Sequence, residues 1–138
     1  MSNSSFYGSN PTPTPGPTTG TPANVYTGTY AIVRVAEFSG SSGTVVIDWS
    51  TCDHAKVTAN GDITLSFIGA INGQKCLLEV IQDSTGGRTV TMPSSQIAYS
   101  AQLTSITLST AANKRDKAGF IYNSATAKYE LVATLSGF

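Results

Sequence analysis

The chain reads as an all-β protein, an antiparallel β-sandwich of jelly-roll-like character preceded by an extended Pro/Thr-rich N-terminal arm. Three observations predict this. From about residue 28 onward apolar and polar residues alternate with period two, Gly, Asn, Asp and Ser interrupt the alternation at short intervals, and no segment keeps helical periodicity for ten residues. Before that point five of the six prolines (Pro11, Pro13, Pro15, Pro17, Pro22) are gathered together, and no charged residue precedes Arg34. The 138 residues therefore divide into an anchoring arm and linker, 1–27, and one β-sandwich domain, 28–138. Roughly 110 residues suffice for a single hydrophobic core.

In the arm, a head of Ser4 to Asn10 containing Phe6 and Tyr7 leads into a linker from Pro11 to Pro22. Each proline fixes its own φ and pushes the preceding residue out of the helical region, so the linker is expected to be extended, with polyproline II character. At ~3.1 Å per residue it would span roughly 35–40 Å. Such a sequence cannot bury enough apolar surface to fold alone. Phe6 and Tyr7 are the expected anchors against a partner, with Pro11, Pro13, Pro15 and Pro17 setting the reach.

The domain begins with a strand in which Ile32, Arg34 and Ala36 alternate against Val33, Val35 and Glu37, ending at the loop Ser39 to Gly43. Val45, Ile47 and Trp49 share one face of a second strand. Asp53–Ala59 and Asp62–Phe67 flank Asn60-Gly61, a strong hairpin signal because a type I′ turn needs positive φ at both central residues. Lys75–Gln82 is apolar on both faces at Cys76-Leu77-Leu78 and so reads as a central strand. The loop Asp83 to Gly87 returns it to Arg88–Met92, which Pro93 stops. Ile97–Tyr99 and Ile106–Leu108 suggest short strands, and Lys117–Tyr122 with Lys128–Leu135 form a closing hairpin around Asn123-Ser124-Ala125. The expected core stripe is Val45, Ile47, Trp49, Ile63, Leu65, Phe67, Leu78, Val80, Val90, Phe120 and Val132.

Net charge is zero and the charged residues are scattered, which supplies no basic face for nucleic acid or for an anionic membrane surface. No apolar run approaches the ~20 residues of a membrane span, and the N-terminus lacks a signal-peptide pattern, so a soluble chain made in the cytoplasm is expected. Cys52 and Cys76 lack metal-ligand spacing and fall in or beside strands, as two buried free thiols would.

No catalytic, cofactor or metal residue is expected. His54 is the single histidine, and neither a triad nor a zinc site can be completed around it; it reads as a polar residue at a strand start. Asp48, Asp53, Asp62 and Asp83 match no calcium loop, and Asp62 and Asp83 border turns where Asp is favoured for local hydrogen bonds. Gly86-Gly87 is followed by a strand rather than by the helix that a phosphate loop needs. Tyr99, Tyr122 and Tyr129 carry polar ends that tolerate exposure and are the candidate contacts for a receptor or host-surface glycan.

The stretch Gly73 to Pro93 has a Gly-Gln entry, an apolar strand, the turn Gln82-Asp83-Ser84-Thr85-Gly86-Gly87-Arg88-Thr89-Val90 and a Pro stop. It resembles a module of tailed-bacteriophage virion proteins. Leu108-Ser109-Thr110-Ala111, Phe120-Ile121-Tyr122 and the terminal Gly137-Phe138 agree with it, over about residues 44–138, and the head Ser5-Phe6-Tyr7 resembles the attachment arms of tail fibres. The resemblance implies a structural or adhesive virion part without enzymatic activity, often trimeric. The expectation is thus a non-enzymatic component of a tailed phage particle, assembled in the host cytoplasm. It would be a short tail-fibre or baseplate-attached subunit docked through its arm to other virion proteins, as a homotrimer. A capsid decoration protein uses an arm and a sandwich in the same way and is the alternative; a carbohydrate-binding module is a third reading.

Overall fold

The computed structural model describes residues 32–138. The arm, 1–27, with Phe6, Tyr7, Pro11, Pro13, Pro15 and Pro17, lies outside the described residues, as do residues 28–31 of the expected domain. The described residues contain nine strands and one short 3-10 turn, Ser94–Gln96. The strands are β1 (Val35–Gly40), β2 (Thr44–Asp48), β3 (His54–Ala59), β4 (Ile63–Ile68), β5 (Lys75–Gln82), β6 (Val90–Thr91), β7 (Ile97–Ala98), β8 (Arg115–Asn123) and β9 (Lys128–Leu135). The all-β class follows the alternation directly: β4 buries Ile63, Leu65 and Phe67 while Thr64, Ser66 and Ile68 face away.

Two sheets enclose the core, a six-stranded one in the order β1-β3-β5-β8-β9-β7 and a three-stranded one in the order β2-β4-β6. Pairing inside them is mixed, whereas an antiparallel jelly roll was expected. Five of the seven ladders are parallel, and only β5–β8 and β8–β9 are antiparallel. Through β6 the chain crosses from one sheet to the other at every strand and comes back beside the strand two before. Val35 lies opposite His54 and Thr44 opposite Thr64, so each circuit takes about 20 residues. Three such rungs, β1–β2, β3–β4 and β5–β6, make a short parallel solenoid closed by the β8–β9 hairpin.

The turns expected to be hairpins are corners of this solenoid. Neither Asn60 nor Gly61 has positive φ, so no type I′ turn forms there, and β3 and β4 belong to different sheets. Asn60 N–H donates to the Gly40 carbonyl at 2.8 Å, and a Cβ on Gly61 would overlap the Ser41 carbonyl oxygen. Gly61 is thus needed because the corner stacks on the corner before it. Asp83 to Gly87 likewise connects β5 to β6 across the sheets rather than folding back as a hairpin. The closing hairpin β8–β9 forms as expected.

The core holds Ile47, Trp49, Ile63, Leu65, Phe67, Leu78, Val80 and Phe120 fully buried, with Val45 and Val90 partly buried against them. Phe67 is its centre: its ring meets Trp49, Phe120 and Tyr129 edge-on, with centroids 5.7, 5.6 and 5.0 Å apart. Such pairs favour this geometry because a positive ring edge meets a negative face. Val132 departs from the expected stripe and is 54% exposed. A bulge between Leu131 and Ala133 shifts the register, so Leu131 points inward and Val132 outward. Cys52 and Cys76 are both buried and unbridged.

Candidate functional site

Three glutamine amides hold positions where backbone partners would otherwise be needed. Gln74 Nε2 donates to the carbonyls of Trp49 and Cys52 at 2.8 and 3.1 Å, tying two rungs at one corner. Gln82 accepts from Arg88 N–H at 2.9 Å and donates to the Arg88 carbonyl at 2.9 Å. Gln96 does the same for Phe67, at 2.9 and 2.6 Å, along the open side of β4. A primary amide offers one acceptor and two donors in the spacing of a peptide group, so each satisfies a backbone that would be costly to leave unpaired.

Charged side chains pin the same corners. Asp53 takes Arg34 in a fork, Oδ2 from Nε at 2.9 Å and Oδ1 from Nη2 at 2.8 Å, and also accepts from Gln74. The Arg34 bonds hold its carboxyl down at about 2. Asp83 pairs with Arg88 at 2.7 Å and caps the N–H groups of Gly86 and Thr85, which hold it at about 2. Buried Asp116 gathers Ser109 N–H, Ser109 Oγ and Gly137 N–H at 2.6, 2.8 and 2.8 Å. It thereby fastens the segments of Ser109 and Gly137 to β8.

On the outer face of the six-stranded sheet, Glu37, Lys56, Glu79 and Lys117 stand in register across β1, β3, β5 and β8. Glu79 is 2% exposed. Lys117 Nζ and Arg115 Nη1 reach its Oε2 at 3.0 Å each, and His54 Nε2 reaches Oε1 at 3.2 Å. Burial alone would raise its proton affinity, but the bonds from Lys117, Arg115 and His54 outweigh burial and hold the carboxyl below its ordinary range. Glu79 is therefore a fixed counter-ion, and His54 faces a carboxylate already paired with Lys117 and Arg115.

Beside this row lies an apolar groove of about 470 Å³, lined by Val33, His54, Leu77, Gly119, Ile121 and Val132, with Asp53 and Lys75 also in its lining. A Cβ on Gly119 would meet only Val132 Cγ2 at 3.7 Å and Ala133 Cβ at 4.0 Å, so glycine is not forced there and serves to deepen the floor. The groove suits an apolar side chain. The Cys76 thiol turns into the core, where burial pushes it up to about 12. Among the described residues no group of three His, Cys, Asp or Glu side chains is placed to hold a metal ion, and no helix is long and apolar enough to cross a membrane.

The three tyrosines do not present one surface. Tyr129 is a core residue, 3% exposed, and burial pushes its hydroxyl up to about 12, so its ring is not open to a glycan. Tyr122 is half-buried with its centroid 4.7 Å from that of Tyr129, and Tyr99 is exposed. Sequence reasoning missed the outward apolar residues Val33, Leu77, Ile121 and Val132; the signal was the two-faced apolar run Cys76-Leu77-Leu78.

No curated protein and no solved structure matches the chain. Residues 42–123, more than half of the chain, match the family described as "Putative phage tail fibre C-terminal domain". The matched span runs from the start of β2 to the end of β8 and so takes in two full rungs, the amide braces Gln74, Gln82 and Gln96, and buried Asp116. The chain belongs to the phage tail fibre C-terminal domain family.

Proposed function

We propose that this chain is a non-enzymatic structural subunit of a tailed phage particle, a short tail-fibre or baseplate-attached component that other virion proteins hold through residues 1–27. The observation that carries the reading is the family match over residues 42–123. The site chemistry supports it: the ionisable side chains with strong partners, Asp53, Glu79, Asp83 and Asp116, are committed to bonds that hold corners and strands, Asp53 among them although it also borders the groove. Phe6 and Tyr7 are the proposed anchors and the prolines the spacer, with the assembled form a homotrimer. For a host-surface glycan, Tyr99 is the exposed one of the three candidate tyrosines.

The test is to label the C-terminus and locate it on intact particles, and to replace Phe6 and Tyr7 with Ala. Tail location and loss of attachment with unchanged melting are expected. Label over the capsid shell would replace this reading with that of a decoration protein, and a monomer mass by light scattering both free and particle-bound would remove the trimer.

A further inference from the structure

Two Asn-Gly pairs lie in the described residues, Asn60-Gly61 and Asn72-Gly73, each with its asparagine exposed. An asparagine side chain before glycine is open to attack by the next backbone nitrogen, because glycine has no Cβ to crowd the approach. The fold treats the two pairs differently. At Asn72 both reacting groups are held by the closing hairpin: Gly73 N–H donates to the Tyr122 carbonyl at 2.8 Å, and Asn72 Oδ1 accepts from Ser124 N–H at 2.9 Å. Tyr122 N–H in turn donates to the Gln74 carbonyl at 3.0 Å, which ties the chain after Gly73 to the same strand. The nitrogen that would attack must give up a hydrogen already committed to Tyr122. The Asn72 amide must also leave Ser124 before it can turn toward that nitrogen.

At Asn60 the contacts fall on other atoms. Its own backbone N–H donates to the Gly40 carbonyl at 2.8 Å, and Gly61 lies where a Cβ would overlap the Ser41 carbonyl oxygen. Among the described residues nothing bonds the Asn60 side-chain amide or the Gly61 N–H. The remaining asparagines of the described residues precede larger residues, Asn113 before Lys114 and Asn123 before Ser124. Asn123 also commits both ends of its amide, to Glu130 and to Ala125 N–H.

We propose that Asn60 is a modification site of the folded chain, where the side-chain amide is exchanged spontaneously for a carboxylate, and that the Tyr122 and Ser124 contacts withhold the same change from Asn72. Gly61 N loses its proton to solvent and attacks Asn60 Cγ. The N–Cγ bond forms, the Cγ–Nδ2 bond breaks, and ammonia leaves from a five-membered imide. Water then opens the ring. Cleavage of the new N–Cγ bond leaves aspartate at position 60, and cleavage of the original peptide bond leaves isoaspartate, with the main chain running through Cγ. Either product sets a carboxylate two residues from Asp62, whose Oδ1 accepts from Thr89 N–H at 2.8 Å. Isoaspartate also inserts a methylene into the main chain where this corner stacks on Gly40 and Ser41, and so loosens the corner.

The experiment incubates the full chain in mildly alkaline buffer, native and in denaturant, and follows each Asn-Gly pair by peptide mass mapping with isoaspartate separated from aspartate. In the native chain Asn60 is expected to convert at least about tenfold faster than Asn72, because two bonds must open before Asn72 can react. In denaturant the two pairs should convert at similar rates. Ser124→Pro removes the N–H that holds Asn72 Oδ1 and should speed conversion of Asn72 while leaving that of Asn60 unchanged. Exchange of the position-60 backbone N–H should be faster in the isoaspartate product than in the starting chain. An Asn60 that keeps its amide in the native chain, over a period in which the denatured chain converts, overturns the proposal. Native conversion of Asn72 at the rate of Asn60 overturns it as well.

Discussion

The hairpin β8–β9 and the rungs β1–β6 obey the same alternation and reach their partners by opposite routes. In the hairpin Asn123 lies opposite Lys128, and its side chain caps the turn by accepting from Ala125 N–H at 2.9 Å, so pairing is decided within a few residues. In the rungs Ala36 meets Ala55 and Leu78 meets Ala55 from the other side, each pair bringing together residues about 20 apart. The hairpin is held by its turn, and the rungs are held by what stacks between corners. Local chemistry therefore specifies one half of the molecule, and packing specifies the other.

Phe67 is where the halves join, since it touches Trp49 of the rungs and both Phe120 and Tyr129 of the hairpin. Phe67→Ala is expected to cost ~3–5 kcal/mol, a large share of a small domain's stability, and to remove both halves in one transition. Thermal unfolding followed separately by near-UV signal and by exchange of β8 and β4 amides checks this. Two separate transitions would break the comparison by making the hairpin an independent unit.

Corners should be the next most sensitive positions. Gly61→Ala drives a methyl into the Ser41 carbonyl, and ~1–3 kcal/mol is expected from such overpacking. Gln96→Leu leaves both Phe67 backbone groups without their amide partner, at ~1–3 kcal/mol. Denaturant midpoints measure both, and a hairpin-turn change such as Ala125→Ser should fall within ~0.5 kcal/mol in the same assay.

The class and most of the core were legible because period two reports which face of a strand is buried, and Ile63, Leu65, Phe67 and Phe120 follow it without interruption. Partner choice was not legible, because a strand buried on one face alternates in the same way whether its neighbour is parallel or antiparallel. Asn60-Gly61 shows the difficulty: the dipeptide favours a tight reversal, yet stacking on Ser41 selects another conformation with φ negative. Val132 was hidden by its bulge. Of the candidate site, the corner role of Asp83 had a turn-chemistry signal, whereas the fork of Asp53 with Arg34, the glutamine braces and the groove needed the third dimension.

Acid should act on the corners of Asp53 and Asp83 and on the ion pairs that join Glu79 of β5 to β8. Asp53 and Asp83 ionise at about 2 in the folded chain, and Glu79 is also held low, so each folded value lies below the unfolded one of ~4. Their contribution is complete above that unfolded value and is lost as pH falls from about 4 toward 2. Melting temperature measured between pH 7 and 2 should be flat and then decline, and Arg34→Ala should make the decline shallower. The smallest effect is expected at Val132: Val132→Thr, at an exposed bulge, should stay within ~0.5 kcal/mol, whereas Val80→Thr places a hydroxyl among buried neighbours and should cost several times more.

The two thiols give the molecule a clock. Cys52 and Cys76 sit in the core with their proton affinity raised by burial, so neither offers the thiolate that alkylating or oxidising agents attack. A particle component that leaves the reducing interior of a lysed cell would otherwise be exposed to slow sulfur chemistry in air and water. With both sulfurs sealed, damage can proceed only as fast as the sheets come apart. The rate at which a thiol reagent titrates the native protein thus reads out how long this domain survives outside its host, a lifetime rather than an equilibrium.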